Sequence, residues 1–151
     1  MIYLDASALV KRYVQEPGSE AIDLRFARAE RIHTSLLSYA EVLAALGRKY
    51  HRGELQSSAF RRARDKFLRD FVLLLDVLDM DTTTLVALPG LVERYPIRGA
   101  DAVHLSSALW LRDMVLMVPE FAAGNVAVEF CTSDRRLSEF ARDSGLAVVA
   151  P

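Results

Sequence analysis

The sequence predicts an α/β protein of three layers, in which a central parallel β-sheet lies between two layers of helices. Short apolar runs alternate along the chain with longer stretches of helical pattern. The length of 151 residues suits one domain, and 52% hydrophobic with 26% charged residues is typical of a globular core with a polar surface. Because parallel strands are joined by right-handed crossovers, this alternation predicts a sheet covered on both faces.

The first half of the chain contains two short apolar runs, each followed by helical stretches. Residues 2–4 (Ile-Tyr-Leu) predict a strand that ends at Asp5, and residues 6–13 predict a helix. Pro17-Gly18-Ser19 is a helix-opening signal, and the second helix is expected to run through about Glu30. A weak strand over Ile32–Thr34 precedes a helix over 36–52, which ends before Gly53.

The second half repeats the alternation. A long amphipathic helix is predicted over 54–74, because its apolar residues share one side: Phe60, Phe67, Leu68 and Phe71. A further helix is predicted over 82–94, although Pro89-Gly90 should interrupt it. The remaining predicted elements are a strand at Val77–Asp79, a helix over 100–113, a strand over Val126–Thr132, a helix over Asp134–Ser144 and a strand over Leu146–Val149.

Composition excludes several classes of protein. Gly and Pro together are too few for a disordered or collagen-like chain, and the single Cys131 cannot form an internal disulfide. No signal peptide is visible at the N-terminus, and no apolar run approaches the roughly 18 residues of a membrane span. We therefore expect one cytoplasmic domain over residues 1–151 with no membrane partner.

Four acidic residues stand out by position. Asp5 and Asp134 follow predicted strands, at the edge where parallel sheets bind ligands. Asp101 opens a helix, and Glu41 lies inside a very apolar one. Each has a structural alternative: the three aspartates are good helix N-caps, and Glu41 fits a Ser38-x-x-Glu41 capping box or a solvated polar stripe.

Convergence of these acids would create a metal site. Carboxylates gathered in one cleft repel each other and stay ionised together only if cations neutralise them. Hard oxygen ligands select Mg²⁺ or Mn²⁺. Such ions typically support phosphodiester hydrolysis, because they activate water and stabilise the charge on the reacting oxygens.

Four motifs occur in the order that is typical of one family. They are Asp5-x-Ser7-Ala8-Leu9-Val10-Lys11, Ser38-x-Ala40-Glu41-Val42, Ala100-Asp101-Ala102-Val103-His104-Leu105 and Thr132-Ser133-Asp134-Arg135-Arg136-Leu137. Together they resemble a PIN domain, most closely the VapC toxins of bacterial and archaeal toxin–antitoxin pairs. The resemblance spans residue 2 to about 149. It departs from the family in one place, because Asp134 lies 33 residues after Asp101, with the surplus within Met114–Val126.

The resemblance implies a sandwiched parallel sheet and an Mg²⁺- or Mn²⁺-dependent endoribonuclease. It implies an acidic site made of Asp5, Glu41, Asp101 and Asp134, in which Asp5 and Asp101 bind the main metal ion directly. It further implies support for the site from Ser7 and Thr132. The implied partners are an RNA substrate, a cognate VapB-like antitoxin and a second copy of the chain in a homodimer. The alternative is a non-catalytic PIN-like protein that binds nucleic acid or a partner.

Two other features leave alternatives open. His104 follows Asp101 by three residues on the same helix face, where it could be a catalytic base but is more typical of a structural histidine. Segment 48–69 carries eight basic and two acidic residues, so it could meet phosphates or an acidic partner, or form a solvated face. Other enzymes with acids at strand ends fit less well: a receiver domain needs a late lysine, and a haloacid-dehalogenase-type phosphatase needs a second Asp at position 7.

Overall fold

A computed structural model describes residues 1–28, 31–123 and 126–151 of the chain. Its described residues form a five-stranded sheet in the order β3-β2-β1-β4-β5, with every neighbouring pair parallel. The strands are β1 (Ile2–Leu4), β2 (Ile32–Ser35), β3 (Leu75–Leu78), β4 (Glu129–Cys131) and β5 (Ala147–Val149). The predicted three-layer α/β/α fold is confirmed.

Helices connect these strands and cover both faces of the sheet. They are α1 (Ala6–Leu9), α2 (Ser19–Ala27), α3 (Leu37–His51), α4 (Ser57–Leu73), α5 (Leu88–Arg94), α6 (Gly99–Met117), α7 (Pro119–Ala123) and α8 (Arg135–Asp143). A short 3₁₀ turn at Val10–Arg12 extends α1.

Two hydrophobic cores lie on opposite faces of the sheet, because successive residues of a strand point to opposite sides. Ile2 and Leu4 of β1 pack with the residues of α1 to α4, including Phe67. Tyr3, between them, packs instead with the core residues of α5, α6 and α8, including Leu105. This division places α1 to α4 in one outer layer and α5, α6 and α8 in the other.

The neighbouring central strands β1 and β4 position the predicted site. Leu4 pairs with Cys131 at the carboxyl ends of these strands, and the backbone N–H of Asp5 donates to the Cys131 carbonyl at 3.1 Å. The turns that follow β1 and β4 therefore lie side by side. Cys131 itself is 1% exposed, as expected for a small apolar residue of a central strand.

Several predicted element bounds are wrong. Strand β3 spans Leu75–Leu78 rather than starting at Val77, because the preceding helix ends early enough for Leu75 to pair with Ile32. Helix α5 begins only at Leu88, with Pro89 in its first turn, where a proline lacks no hydrogen bond that the helix needs. The strand predicted over Val126–Thr132 is limited to Glu129–Cys131.

The surplus between Asp101 and Asp134 is mostly helical. Helix α6 continues to Met117 rather than ending near residue 113, and α7 follows it. The predicted end of the second helix at Glu30, and residues 124–125 within the surplus, lie outside the described residues. Within the described ranges, no helix is both long and apolar enough to cross a membrane.

Candidate active site

Asp5 lies at the centre of a hydrogen-bonded cluster that joins the turns after β1 and β4. Its Oδ1 accepts from the backbone N–H of Ala8 at 2.8 Å, which makes Asp5 the N-cap of α1. The Ser7 hydroxyl lies 2.8 and 2.9 Å from the two carboxylate oxygens, and the Thr132 hydroxyl donates to Oδ2 at 2.6 Å. Asp5 is 4% exposed, so these donors replace the water that it loses on folding.

The two hydroxyls also receive hydrogen bonds from the turn after β4. The backbone N–H of Asp134 donates to Thr132 Oγ1 at 3.0 Å, and that of Ser133 donates to Ser7 Oγ at 2.9 Å. Each hydroxyl thus accepts from the backbone while it donates to Asp5. Ser7 and Thr132 therefore fix the distance between the two turns as well as the orientation of Asp5.

Asp134 and Asp101 face each other beside this cluster. Asp134 is the N-cap of α8, because its Oδ1 accepts from the Leu137 backbone N–H at 2.9 Å. Asp101 lies in the first turn of α6, whose N-cap is Arg98. The interpretation of Asp101 as an N-cap is therefore wrong, whereas Asp5 and Asp134 are caps that also lie at the acidic edge.

Glu41, on α3, is hydrogen-bonded to the buried His104 of α6. His104 Nε2 lies 2.7 Å from Glu41 Oε2, and His104 Nδ1 lies 3.0 Å from the Tyr3 hydroxyl. His104 is 3% exposed. His104, which the sequence placed on the same helix face as Asp101, therefore contacts Glu41. This pair joins α6 to α3.

The two structural alternatives for Glu41 are both wrong. The capping box fails because α3 begins at Leu37, so Ser38 is too far inside the helix to cap it and bonds instead to Thr34 at 2.6 Å. The solvated stripe fails because Thr34 and Ser38 are both fully buried. Glu41 itself is partly exposed at the cleft.

Electrostatics at this edge disfavour a full set of free anions. Burial raises the pKa of Asp5, and the nearby His104 and the hydrogen bonds from Thr132, Ala8 and Ser7 oppose that rise. The pKa of Asp101 is raised by burial first and then by the charge of Asp134, with Asp5 adding to it. Arg98 and His104 offset part of this repulsion at Asp101.

The donor set suits a hard divalent cation. The charges of Asp134 and Asp5 both raise the pKa of Asp101. No ion pair among the described residues joins Asp5 to an arginine or lysine. Asp101 accepts no hydrogen bond from any described residue, so its oxygens are available as ligands. The carboxylates of Asp134 and Glu41 are partly engaged by Leu137 and His104. Among the described residues, no group of three or more His, Cys, Asp or Glu side chains is arranged so that it could hold a metal ion.

Two arginines that border the acids complete the site. A small cavity of about 40 Å³ is lined by Arg98, Arg136, Asp101 and Asp134, together with apolar residues of α8 and the segment before α6. Arg98 is the N-cap of α6, and its charge opposes the rise in the pKa of Asp101. Arg136 was not singled out, although its position two residues after Asp134 is a signal that could have found it.

Comparison with known proteins agrees with this geometry. A family model described as PIN domain matches residues 2–143. The chain is 35% identical over 151 residues to ribonuclease VapC46 of Mycobacterium tuberculosis, an alignment that covers 99% of this chain and 97% of the relative. It is 33% identical over 118 residues to ribonuclease VapC45 of the same species, covering 78% of this chain and 81% of the relative.

Solved structures share the fold at lower sequence identity. VapBC2 from Rickettsia felis, bound to a DNA fragment from its promoter, matches with a TM-score of 0.62 and 17% identity, and covers 100% of this chain and 99% of the solved chain. FitAcB from Neisseria gonorrhoeae matches with a TM-score of 0.64 and 14% identity, and covers 98% and 96%. The family match and the 35% identity over nearly the whole length show that this chain belongs to the PIN-domain family, among the VapC ribonucleases.

Proposed function

We propose that this chain is a metal-dependent endoribonuclease toxin that hydrolyses phosphodiester bonds of RNA. The observation that carries the proposal is that Asp5, Asp101 and Asp134 lie together beside the carboxyl ends of β1 and β4, with Glu41 connected to this edge through His104. Relatives that are similar over most of this chain are named ribonucleases, which supports RNA as the substrate class.

Asp5 and Asp101 are the residues that would hold Mg²⁺ or Mn²⁺ directly, with Glu41 and Asp134 completing the site through water. When bound, such an ion activates water and stabilises negative charge on the reacting phosphate. The chain supplies the remaining functions. Ser7 and Thr132 orient Asp5, and the exposed side chains of Arg98 and Arg136 offer positive charge to the RNA backbone next to the acids.

Glu41 is suited to accept a proton at Oε1. Its other oxygen, Oε2, accepts from His104, whereas Oε1 has no hydrogen-bond partner among the described residues. A carboxylate that is fixed at one oxygen and open at the other can orient a water molecule and take its proton. A water in line with the scissile bond would then leave a 5′-phosphate on one product.

The alternative function is that of a PIN-like protein that only binds nucleic acid or a partner. An uncompensated group of carboxylates repels phosphate, so a complete acidic edge disfavours that reading. Substitution of the acidic residues distinguishes the two functions. It should strengthen RNA binding if the protein only binds RNA, and it should abolish RNA cleavage if the protein is a nuclease.

RNA cleavage by purified protein tests the proposal. Asp5→Asn and Asp101→Asn each replace an anionic ligand by a neutral one of similar shape. We expect each to lower the rate of cleavage by roughly a hundredfold or more at matched Mg²⁺. Asp113→Asn, an exposed aspartate paired with Arg112, is the matched control and should cleave normally. Full activity of either site variant would overturn the proposal.

We also propose that an antitoxin inhibits the enzyme and that the active form is a homodimer. The resemblance to VapC toxins supports both, and a relative of the same fold was solved as VapBC2. The basic helix pair α3 and α4 is the surface we assign to the antitoxin, because an inhibitor of a nuclease site must present acidic or nucleic-acid-like chemistry.

A further inference from the structure

A chain of two hydrogen bonds connects the interior of the sheet to Glu41. The Tyr3 hydroxyl lies 3.0 Å from His104 Nδ1, and His104 Nε2 lies 2.7 Å from Glu41 Oε2. Tyr3 is fully buried and His104 is 3% exposed, whereas one third of the Glu41 side chain is exposed. The two hydrogen bonds therefore connect a side chain in the core to one that is partly exposed at the surface.

The first two members are held rigidly relative to the acids that would bind the metal. Tyr3 belongs to β1, two residues before Asp5, and stacks on Phe130 of β4 at a centroid distance of 5.6 Å. The imidazole of His104 meets the Tyr3 ring edge-on at 6.0 Å. His104 lies one turn after Asp101 on α6, so its ring nitrogens keep a fixed position relative to both acids.

Glu41, in contrast, has little else to hold it. Its carboxylate accepts a hydrogen bond from His104 and from no other residue in the described ranges. A glutamate on the open side of a helix can adopt several rotamers, and only some of them direct the carboxylate to the cleft. The bond from His104 selects one of them.

We propose that His104 is a positioning residue that holds the Glu41 carboxylate toward the acidic edge, and that Tyr3 orients the His104 ring. The inference rests on the proposed function, because the orientation of Glu41 matters only if this edge cleaves RNA. Groups that orient a catalytic carboxylate or metal ligand are typically worth about 10–100-fold in activity.

A purely structural role is the competing explanation. In that case the His104–Glu41 pair joins α6 to α3, and its loss lowers stability without changing the chemistry of the remaining folded enzyme. A positioning role instead predicts a fall in kcat with little change in KM, because RNA binding does not depend on this carboxylate. Variants that keep or remove the hydrogen-bond donor at the place of Nε2 separate the two roles.

The experiment compares His104→Leu with His104→Gln, whose side-chain amide nitrogen can occupy the place of Nε2. The substrate is whichever RNA the wild type cleaves fastest from a pool of oligonucleotides of random sequence. We expect His104→Leu to lower kcat by roughly 10–100-fold and His104→Gln to restore most of that loss. His33→Leu is the matched control, because His33 is also a buried histidine and neither of its ring nitrogens has a hydrogen-bond partner in the described ranges.

A double-mutant cycle completes the test. If His104 acts through Glu41, the double variant Glu41→Gln/His104→Leu should be no slower than Glu41→Gln alone. The cycle is repeated with Tyr3→Phe in place of His104→Leu, because this change removes only the hydroxyl and keeps the ring. The test therefore remains valid if the His104→Leu protein is unstable. Additive losses, or an unchanged kcat in His104→Leu and Tyr3→Phe, would overturn the inference. The Asp5→Asn variant separates this outcome from failure of the proposed function, since it loses activity whether or not His104 positions Glu41.

Discussion

Asp5 combines two roles that compete in many proteins. As the N-cap of α1 it accepts from Ala8, and as the proposed metal ligand it must keep an oxygen lone pair available. Both are compatible because a carboxylate has about four lone-pair sites and Asp5 accepts from three donors, the Ala8 N–H and the hydroxyls of Ser7 and Thr132. A capping aspartate is therefore no argument against a functional one when the helix begins at the carboxyl end of a central strand.

Thr132→Val tests the support that Asp5 receives. Valine keeps the shape but removes the hydroxyl that donates to Asp5 and accepts from the Asp134 backbone N–H. We expect a loss of about 1–3 kcal/mol in the free energy of unfolding, because both buried partners lose a hydrogen bond. Chemical denaturation measures this loss. The control is Thr82→Val, an exposed threonine whose side chain makes no hydrogen bond within the described ranges and whose replacement should change stability little. Equal stability of Thr132→Val and wild type would contradict the assigned support.

Asp101→Asn tests the repulsion at the acidic edge in metal-free protein. The pKa of Asp101 is raised above its ordinary value of 3.8 by burial and by Asp134. An acid whose pKa is raised on folding stabilises the fold below its unfolded pKa, and that contribution is lost as pH rises through the folded value. We therefore expect Asp101→Asn to gain stability relative to wild type as pH rises from below 3.8 toward neutrality.

The size of that gain should be modest, on the order of 0.5–1 kcal/mol, because Asp101 is only half buried and water screens its charge. Melting temperatures in chelator at a series of pH values measure it. Asp113→Asn, which removes an exposed charge, should show no such trend. A wild type that grows more stable than Asp101→Asn with rising pH would mean that the acids do not repel each other.

The positions of the acidic residues could be predicted from the sequence, whereas the hydrogen-bond partner of Glu41 could not. Position after a strand or at the start of a helix marks Asp5, Asp101 and Asp134, because these places are set by local pattern. The pairing of Glu41 with His104 depends on how α3 packs against α6, and residues 63 positions apart leave no local signal for it. The capping box failed for a related reason, since the N-cap of α3 is Leu36, two residues before Ser38, and the Ser38 hydroxyl bonds to Thr34 instead.

At the scale of elements, the basic segment 48–69 divides between α3 and α4. Lys49 is neutralised by Glu16 and Glu54, and Arg64 pairs with Asp65 at 2.8 Å. Arg61 and Arg62, in contrast, are exposed and make no ion pair with a described residue. Arg48 on α3 is likewise exposed and has no ion pair with a described residue, so the predicted partner-binding surface narrows to these three arginines, of which Arg61 and Arg62 are adjacent near the start of α4.

Reversing the charge of Arg61 and Arg62 tests this surface. Arg61→Glu/Arg62→Glu should weaken binding of a cognate antitoxin while it changes the free energy of unfolding by less than about 0.5 kcal/mol, because both side chains are exposed. Calorimetry at two salt concentrations measures binding, and the loss should shrink at high salt. Arg135→Glu/Arg142→Glu on α8 is the control for net charge. If both double variants bind as tightly as wild type, the segment is a solvated face.

Element bounds were predictable where a helix is long and amphipathic, as for α4, and not where a short strand follows directly. The helix was predicted to end at Leu74 and the strand to begin only at Val77, yet Leu75 already pairs in the sheet with Ile32 of β2. Pro89 was read as an interruption of a helix, whereas it marks the beginning of one. The first error arises because a tertiary contact decides where β3 begins, and the second because a proline in the first turn is compatible with a helix start.

The topology of the whole molecule explains why acidic residues from separated motifs come together at one edge of the sheet. The strand order β3-β2-β1-β4-β5 makes β1 and β4 neighbours although more than a hundred residues separate them. All strands are parallel, so the turns after β1 and β4 emerge at the same edge, and α6 brings Asp101 to it. The spacing surplus before Asp134 leaves this arrangement intact, because it is absorbed by the end of α6 and by α7.

Anomalous scattering from a crystal soaked in Mn²⁺ shows directly whether this acidic edge binds the divalent ion that the proposed RNA cleavage requires. We predict an Mn²⁺ peak between Asp5 and Asp101 in the wild type, with carboxylate oxygens at about 2.0–2.2 Å, as is usual for small divalent ions on oxygen ligands. The peak should be absent from Asp101→Asn crystals soaked in the same way. A wild-type crystal with no peak at this edge, or with Mn²⁺ bound only elsewhere, would contradict the account.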